Sequence, residues 1–228
     1  MLPSSTVENY LKAIHQAQSR IDGERSLVPM GQLSSALGVA PGTATTMVKA
    51  LADSGLVVYE PYSGVRLTPA GAKLAAMVLR RHRLVELFLV RVMGMSWAEV
   101  HDEAEQLEHA VSDRLIDRID EMLGRPAVDP HGDPIPDHEG HIQAAESDSL
   151  LNCPLNEPLV VSRVLDQDSD FLIFVEQSQL KPGQAIVVES RNDAADRVMV
   201  RVDGRVIALG TRAASKLMVE RAASAARR

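Results

Sequence analysis

The sequence predicts an α+β protein in three parts: an N-terminal winged helix-turn-helix, a helical middle and a small C-terminal β-barrel. Three observations carry that expectation. From Leu27 to Gly71 the chain reads helix, tight turn, helix and hairpin, in that order. Apolar residues then recur at helical spacing from about Ala72 to Leu123. Short β-prone runs separated by turn residues fill 159–228. The expected boundaries are 1–73 for the DNA-reading part, 74–142 for the helical part, 143–158 for a linker and 159–228 for the barrel.

Ser5-Thr6-Val7-Glu8 fits a capping box, and Val7, Tyr10, Leu11, Ile14 and Ile21 predict a helix to about Arg20. Asn9 lies roughly opposite that stripe, where it can reach outside its own domain. Met30 to Leu37 and Pro41 to Ser54 form the next two helices around Gly38-Val39-Ala40. Gly38 suits a left-handed helix end and Pro41 a first turn; Ala40 caps less well than Ser or Asp would, by about 1 kcal/mol. Leu56 to Glu60 and Val65 to Thr68 pair through Pro-Tyr-Ser-Gly.

In such a layout the second helix enters the major groove by its N-terminal turns. Thr43, Thr45 and Thr46 would face base edges, with methyls suited to thymine, and Lys49, Arg66 and Lys73 would touch phosphates. The plainer reading is that these threonines only solubilise a helix.

Thr68-Pro69-Ala70-Gly71 opens a long helix leading into RRHRLVELFLVRVMGMSWAEVHDEAEQLEH, residues 80–109. His82 and Glu86 stack one turn apart. His101, Glu105, Glu108 and His109 share one face of the next helix, which is expected to continue through Leu123. Carboxylates bordering apolar stripes repel one another unless protonated or bridged by cations, so a divalent-metal site is expected there; a surface ion-pair network is the alternative. Val111, Leu115, Ile116, Ile119 and Leu123 serve as core and as a two-fold seam.

Residues 124–142 read as a solvated loop. His131, His138 and His141 among Asp133, Asp137 and Glu139 are a weaker metal candidate. Cys153 in the linker is read as an inert thiol, and the tail from Glu220 is expected to fray. Strands are expected at Leu159 to Leu165, Ala185 to Glu189, Arg197 to Val202 and Arg205 to Leu209, with a helix from Asp168 to Gln179.

The net charge of −7 is unevenly spread. Residues 1–83 hold nine Lys/Arg and five Asp/Glu, 84–150 hold four and sixteen, and 151–228 hold eleven and ten. A basic front and an acidic middle suit a reading head joined to a cation-binding part. No apolar run approaches a membrane span and no signal peptide is evident; with a single cysteine, a reducing cytoplasm is the expected location.

Together, Arg81-His82-Arg83, VHDEAEQLEH from Val100 to His109 and HGDPIP from His131 to Pro136 resemble the diphtheria-toxin-repressor family of metal-dependent transcriptional repressors. The resemblance spans essentially the whole chain and implies that the C-terminal barrel is SH3-like. It implies a primary metal site at Asn9, Glu105, Glu108 and His109, and an ancillary one at His82, Glu86 and His101 completed by Gln167 and Asp170. Iron-responsive members carry Cys where this chain has Glu105, and the first helix offers Asn9 where Met or Asp is usual. Carboxylate in place of thiolate favours a harder ion, so the resemblance points to the manganese-responsive branch, Mn²⁺ ahead of Fe²⁺, with two sites per chain.

The expected mechanism is a population shift. Repulsion among Glu86, Glu105 and Glu108 loosens the metal-free chain, and the bound ion fixes the two reading heads of a homodimer on a palindromic double-stranded operator. About 5.5 kcal/mol of preference would carry the equilibrium from 1:99 to 99:1. Repression of metal-uptake genes follows from the resemblance. A metalloenzyme is the rival class, but HExxH, paired Glu-x-x-His motifs and a Ser/His/Asp set are all missing. A winged-helix regulator of another signal is the third reading.

Overall fold

The computed structural model describes residues 4–19, 21, 27–143 and 147–222. It divides into two compact units. The first is Met1–His82 with Glu108–Val111 and Pro136–Ile142; the second is Arg83–Leu107, Ser112–Ile135 and Gln143–Arg228.

In the first unit, α1 spans Ser5–Gln18 and is capped by Ser4, whose Oγ accepts the Val7 amide at 3.4 Å. The sequence placed the cap one residue later and gave Glu8 to it. Glu8 is instead buried and turned towards Arg81 and His109, which bind a carboxylate more strongly than a helix-end amide does. The helix stops at Gln18; Arg20, where its end was expected, lies outside the described residues. Tyr10, Leu11, Ile14 and Ala17 pack with Leu33, Ala44, Val48, Leu51, Val57 and Val65 into one core.

Helices α2 (Met30–Ala36) and α3 (Pro41–Asp53) follow, then β1 (Val57–Glu60) and β2 (Gly64–Leu67) as an antiparallel pair. Val28 adds a bridge to Val65, completing the wing. Helix α4 (Pro69–Arg91) begins where Thr68 Oγ1 accepts the Gly71 amide at 3.1 Å. A Cβ on Gly71 would sit 1.9 Å from the Leu56 carbonyl oxygen, so only glycine lets this helix start against the hairpin.

The second unit holds α5 (Val100–Leu107) and α6 (Asp113–Met122). The sequence predicted one continuous helix here, and the structure corrects that. Ser112 adopts an extended backbone and its Oγ accepts the Leu115 amide at 3.4 Å, so a fresh N-cap restarts the chain. Glu108 and His109 therefore stand on a turn beyond the end of α5, not on its face.

Strands β3 (Asp148–Ser149), β4 (Leu159–Val164), β5 (Ala185–Asn192), β6 (Arg197–Val202), β7 (Arg205–Leu209) and β8 (Leu217–Arg221) form one antiparallel sheet in the order β3-β8-β4-β5-β6-β7. Register shifts at Val161/Arg163 and Val188/Ser190 bend it. Helix α7 (Ser169–Gln177), capped by Asp168, and the short α8 (Thr211–Ala214) flank it. Strands β3 and β8 had not been foreseen. Glu220 lies in β8 because its strand pairs with β4, so the expected fraying does not begin there; residues 223–228 lie outside the described set. Leu150 and Cys153, in the stretch read as linker, are buried in this unit's core. Burial also pushes the Cys153 thiol up, against the pull of Arg191.

The loop over 124–142 is not solvated throughout. His131 is fully buried and Asp129 nearly so, because the Val164 amide donates to the His131 carbonyl at 2.8 Å and ties the loop to β4. Gly132 has φ +87° and its missing Cβ would fall 2.0 Å from the Ser162 carbonyl oxygen.

Candidate metal centres and DNA-reading helix

The first centre is built inside the first unit from α1, α4 and the turn after α5. Glu8 and Lys12 lie one turn apart on α1, among the apolar residues that bury it. The Arg81 guanidinium donates to Glu8 Oε1 at 3.1 Å, and His109 Nδ1 donates to Glu8 Oε2 at 2.6 Å. That bond turns the other ring nitrogen, Nε2, towards Asn9 Oδ1 at 2.8 Å and Glu108 Oε1 at 3.3 Å. A carboxylate holding one imidazole nitrogen while the other faces oxygen donors is how proteins orient a metal-ligating histidine.

Glu108 has no exposed surface, yet both its oxygens are engaged. Lys12 Nζ donates to Oε1 at 2.7 Å and His82 Nδ1 to Oε2 at 2.6 Å. Burial alone would raise its pKa; His82 and Lys12 together outweigh that and hold the carboxyl below the usual value. Glu108 is thus compensated by the Lys12 ammonium and a hydrogen bond from His82, where the sequence mechanism has it repelling its neighbours.

The second centre lies inside the second unit. Glu86, Asp129 and His131 are all buried, and each offers a ligand atom within 4.8 Å of the others. His101 Nδ1 stands 3.1 Å from Glu86 Oε1, and its Nε2 is 3.6 Å from Glu105 Oε1. His131 Nε2 donates to the Trp97 carbonyl at 2.9 Å, which leaves Nδ1 facing Glu86 Oε2 at 3.8 Å. Asp129 Oδ1 accepts the His131 and Asp133 amides, while Oδ2 and His131 Nδ1 have no hydrogen-bond partner among the described residues.

Burial, then Asp133 and Glu86, push the Asp129 carboxyl up to about 7 against the pull of His131 and Arg83. Burial works against a charged His131, but the Glu86 and Asp129 carboxylates prevail and raise its pKa. Arg83 stands 3.8 Å from Asp129 Oδ2, and a divalent cation would add further positive charge to this buried group of two carboxylates and an imidazole. The donors at both centres are oxygen and nitrogen, a set that fits Mn²⁺ or Fe²⁺.

Of the residues named from sequence, Asn9, Glu108 and His109 are brought together in the first unit, with His82 on Glu108. Glu86, His101 and Glu105 are neighbours in the second unit. Gln167 Nε2 donates to Asp133 Oδ2 at 3.3 Å. Asp170 is exposed in the first turn of α7 and belongs to no cluster of potential ligands among the described residues. His138 lies 3.3 Å from Arg80, and His141 pairs with Asp137 at 3.2 Å, both within the first unit, while His131 belongs to the second. Sequence reasoning missed Glu8, Lys12 and Asp129. For the first two a signal existed, an i, i+4 acid and base within an apolar face; for Asp129 there was only Asp-Pro-His-Gly.

On α3, Thr43, Thr46 and Lys49 are exposed and Thr45 is half-buried. Thr45 and Thr46 donate their hydroxyls to the carbonyls of Pro41 and Gly42, at 2.9 and 3.0 Å, leaving their methyls as the outward chemistry. Arg66 is half-buried on the wing. Ala40, Gly42, Thr43, Thr46, Met47 and Ala50 line a shallow depression on this helix. No helix among the described residues is long and apolar enough to cross a membrane.

Comparison with known proteins identifies the domains. Residues 3–65 match the iron-dependent repressor N-terminal DNA-binding domain, 68–137 its metal-binding and dimerisation domain, and 149–221 the FeoA domain. The diphtheria toxin repressor of Corynebacterium glutamicum is 30% identical over 208 residues, 89% of this chain and 86% of that protein. The regulator MntR of Lysinibacillus sphaericus is 32% identical over 122 residues, 54% of this chain and 84% of that one. A solved manganese-dependent transcriptional repressor in complex with manganese superposes with a TM-score of 0.84 at 38% identity, covering 93% of this chain and 98% of that one. The chain therefore belongs to the diphtheria-toxin-repressor family: it is a metal-binding, DNA-binding transcriptional repressor with a dimerisation domain and an SH3-like C-terminal sheet, and not an enzyme.

Proposed function

We propose that the chain is a manganese-responsive repressor with two metal sites per protomer, active as a homodimer on palindromic operators of metal-uptake genes. Asn9, Glu108 and His109 are the ligands of the first site. Glu86, Asp129, His131 and His101 hold the second. Glu105 and His82, which the family resemblance adds to these sets, are the next side chains to substitute. The matched spans 3–65 and 68–137 support the divisions 1–73 and 74–142, whereas the C-terminal part is taken to begin near 149 and not at 159, because the matched span starts there and Leu150 and Cys153 are buried in its core. Operator binding makes the cytoplasm its place of work.

One observation carries this reading: His109 Nε2, Asn9 Oδ1 and Glu108 Oε1 converge at 2.8 and 3.3 Å, with Glu8 fixing the imidazole from behind. The Asn9 amide oxygen, the Glu108 carboxylate and the His109 imidazole would hold an ion there, and the ion would supply positive charge to the buried carboxylate. Asn9 belongs to α1 of the reading head, and Glu108 and His109 to the turn after α5. Sharing one ion, they hold the reading head in a single pose, which favours the DNA-binding population. The absence of thiolate and the carboxylate-rich donors support Mn²⁺ over softer ions.

The test is DNA binding by the full-length protein with chelator, Mn²⁺, Fe²⁺ or Zn²⁺, using duplexes selected from a random pool. Tight binding with Mn²⁺ and loss with chelator is the expected result. Equal affinity in both conditions would overturn it, and activation by Fe²⁺ at lower free concentration would move the chain to the iron-responsive reading.

A further inference from the structure

We infer that Lys12 is a built-in competitor of the metal ion, an ammonium that holds the first centre assembled without metal and sets the concentration at which metal takes over. The inference rests on the reading of Asn9, Glu108 and His109 as metal ligands. Its basis is the contact already described: Lys12 Nζ lies 2.7 Å from Glu108 Oε1, the oxygen that also faces His109 Nε2. Lys12's side chain is 7% exposed and Glu108's is wholly buried, so little water screens the pair.

The centre is charge-balanced by its own side chains. Glu8 and Glu108 carry two negative charges, Arg81 and Lys12 two positive ones. A buried carboxylate needs such a partner, or the fold loses several kcal/mol. These ion pairs, with His82 on Glu108 and His109 on Glu8, hold Asn9, Glu108 and His109 together through the chain's own side chains.

A divalent ion cannot take Glu108 Oε1 cheaply while the ammonium remains on it. Either the lysine stem swings aside and gives up a buried ion pair, or two cations stay close on one carboxylate. Both reduce the net gain from metal. Arg81 does not compete in this way, since it acts on Glu8, behind the imidazole. Lys12 thus contributes in opposite senses to the two states: it stabilises the metal-free centre and weakens the loaded one. A residue serving only the fold would weaken both.

The experiment measures Mn²⁺ affinity by calorimetry and thermal unfolding in chelator, in full-length protein carrying Asp129→Asn so that only the first centre is titrated. Lys12→Met is expected to bind Mn²⁺ about tenfold more tightly or better, and to melt earlier without metal. Lys12→Gln should show the same pair of changes if the methionine variant folds poorly, and Lys12→Arg, which keeps the cation, should restore the original affinity and stability. Unchanged or weaker Mn²⁺ binding in both Lys12→Met and Lys12→Gln would overturn the inference. Glu108→Gln separates the two readings: if it leaves Mn²⁺ binding intact, the assignment of the centre fails; if it abolishes binding while Lys12→Met gains nothing, only the role of Lys12 fails.

Discussion

The imidazole of His131 stacks on the indole of Trp97, with ring centroids 5.3 Å apart and planes 27° from parallel, and its Nε2 donates to the carbonyl of that same tryptophan. Trp97 is the only tryptophan in the chain and is 4% exposed. A change of charge on the His131 ring, or a paramagnetic ion bonded to it, must alter the emission of this indole. Titration with Mn²⁺ should therefore quench tryptophan fluorescence in a saturable way. The response should vanish in Asp129→Asn and survive in His109→Ala. The same quenching in Asp129→Asn would remove the second centre from its proposed place.

Asp129 should make the metal-free protein sensitive to pH. Its carboxyl is pushed from an ordinary 3.8 to about 7 by burial and by Asp133 and Glu86. Between those values the folded chain keeps a proton that the unfolded chain has released, so stability falls as pH rises and levels off above about 7. The raised pKa of His131 acts in the same direction. Thermal melts in chelator should show that decline, and Asp129→Asn should make it shallower and raise the melting temperature at pH 8. An unaltered slope would show that another group carries it.

Glu8→Gln tests the positioning of His109. With its Oε2 no longer a full anion, the imidazole loses its fixed orientation, and Mn²⁺ affinity should fall about 10-fold or more. Calorimetry in the Asp129→Asn background measures the effect at this centre alone. Affinity equal to that of the parent would mean that Glu8 serves only to neutralise Arg81.

The reading helix offers methyls more than hydroxyls, because Thr45 and Thr46 spend their donors on their own backbone. Thr46→Val should accordingly keep the base preference of the protein, with affinity within about threefold, as expected where apolar contact to thymine does the reading. Lys49→Ala should weaken binding to all sequences and lower the slope of log affinity against log salt by about one. Anisotropy on matched and mismatched duplexes at several salt concentrations distinguishes the two effects.

Gly132→Ala tests the seat of the second centre's loop. The new methyl would meet the Ser162 carbonyl at 2.0 Å with φ at +87°, a combination of clash and left-handed strain worth about 3 kcal/mol. A melting temperature within a degree or two of the parent would show that the loop can move off β4.

Much of this was legible in the sequence, and the rest failed for identifiable reasons. Helices with one apolar face (α1 to α4) and a hairpin with its own turn residues announce themselves locally. The acids and imidazoles around Glu108 and His109 stand out in the same way, since such groups beside an apolar stripe call for a positive partner, which for Glu108 includes Lys12. The break at Ser112 was missed because the apolar spacing continues through it, while a serine cap is a single residue's signal. Burial of Asp129 and His131 depends on a backbone bond from Val164, far along the chain, and nothing within Pro-His-Gly-Asp reveals it. Glu8 was given to the helix end because capping is a local rule; its true partners, Arg81 and His109, are 73 and 101 positions away.

The most direct measurement is an anomalous difference map at the manganese edge from crystals of the full-length protein grown with Mn²⁺. A peak bonded to His109 Nε2, Glu108 Oε1 and Asn9 Oδ1, with Lys12 withdrawn from Glu108, is the predicted result. A map with no peak there, and Lys12 still seated on Glu108 at saturating Mn²⁺, would contradict it.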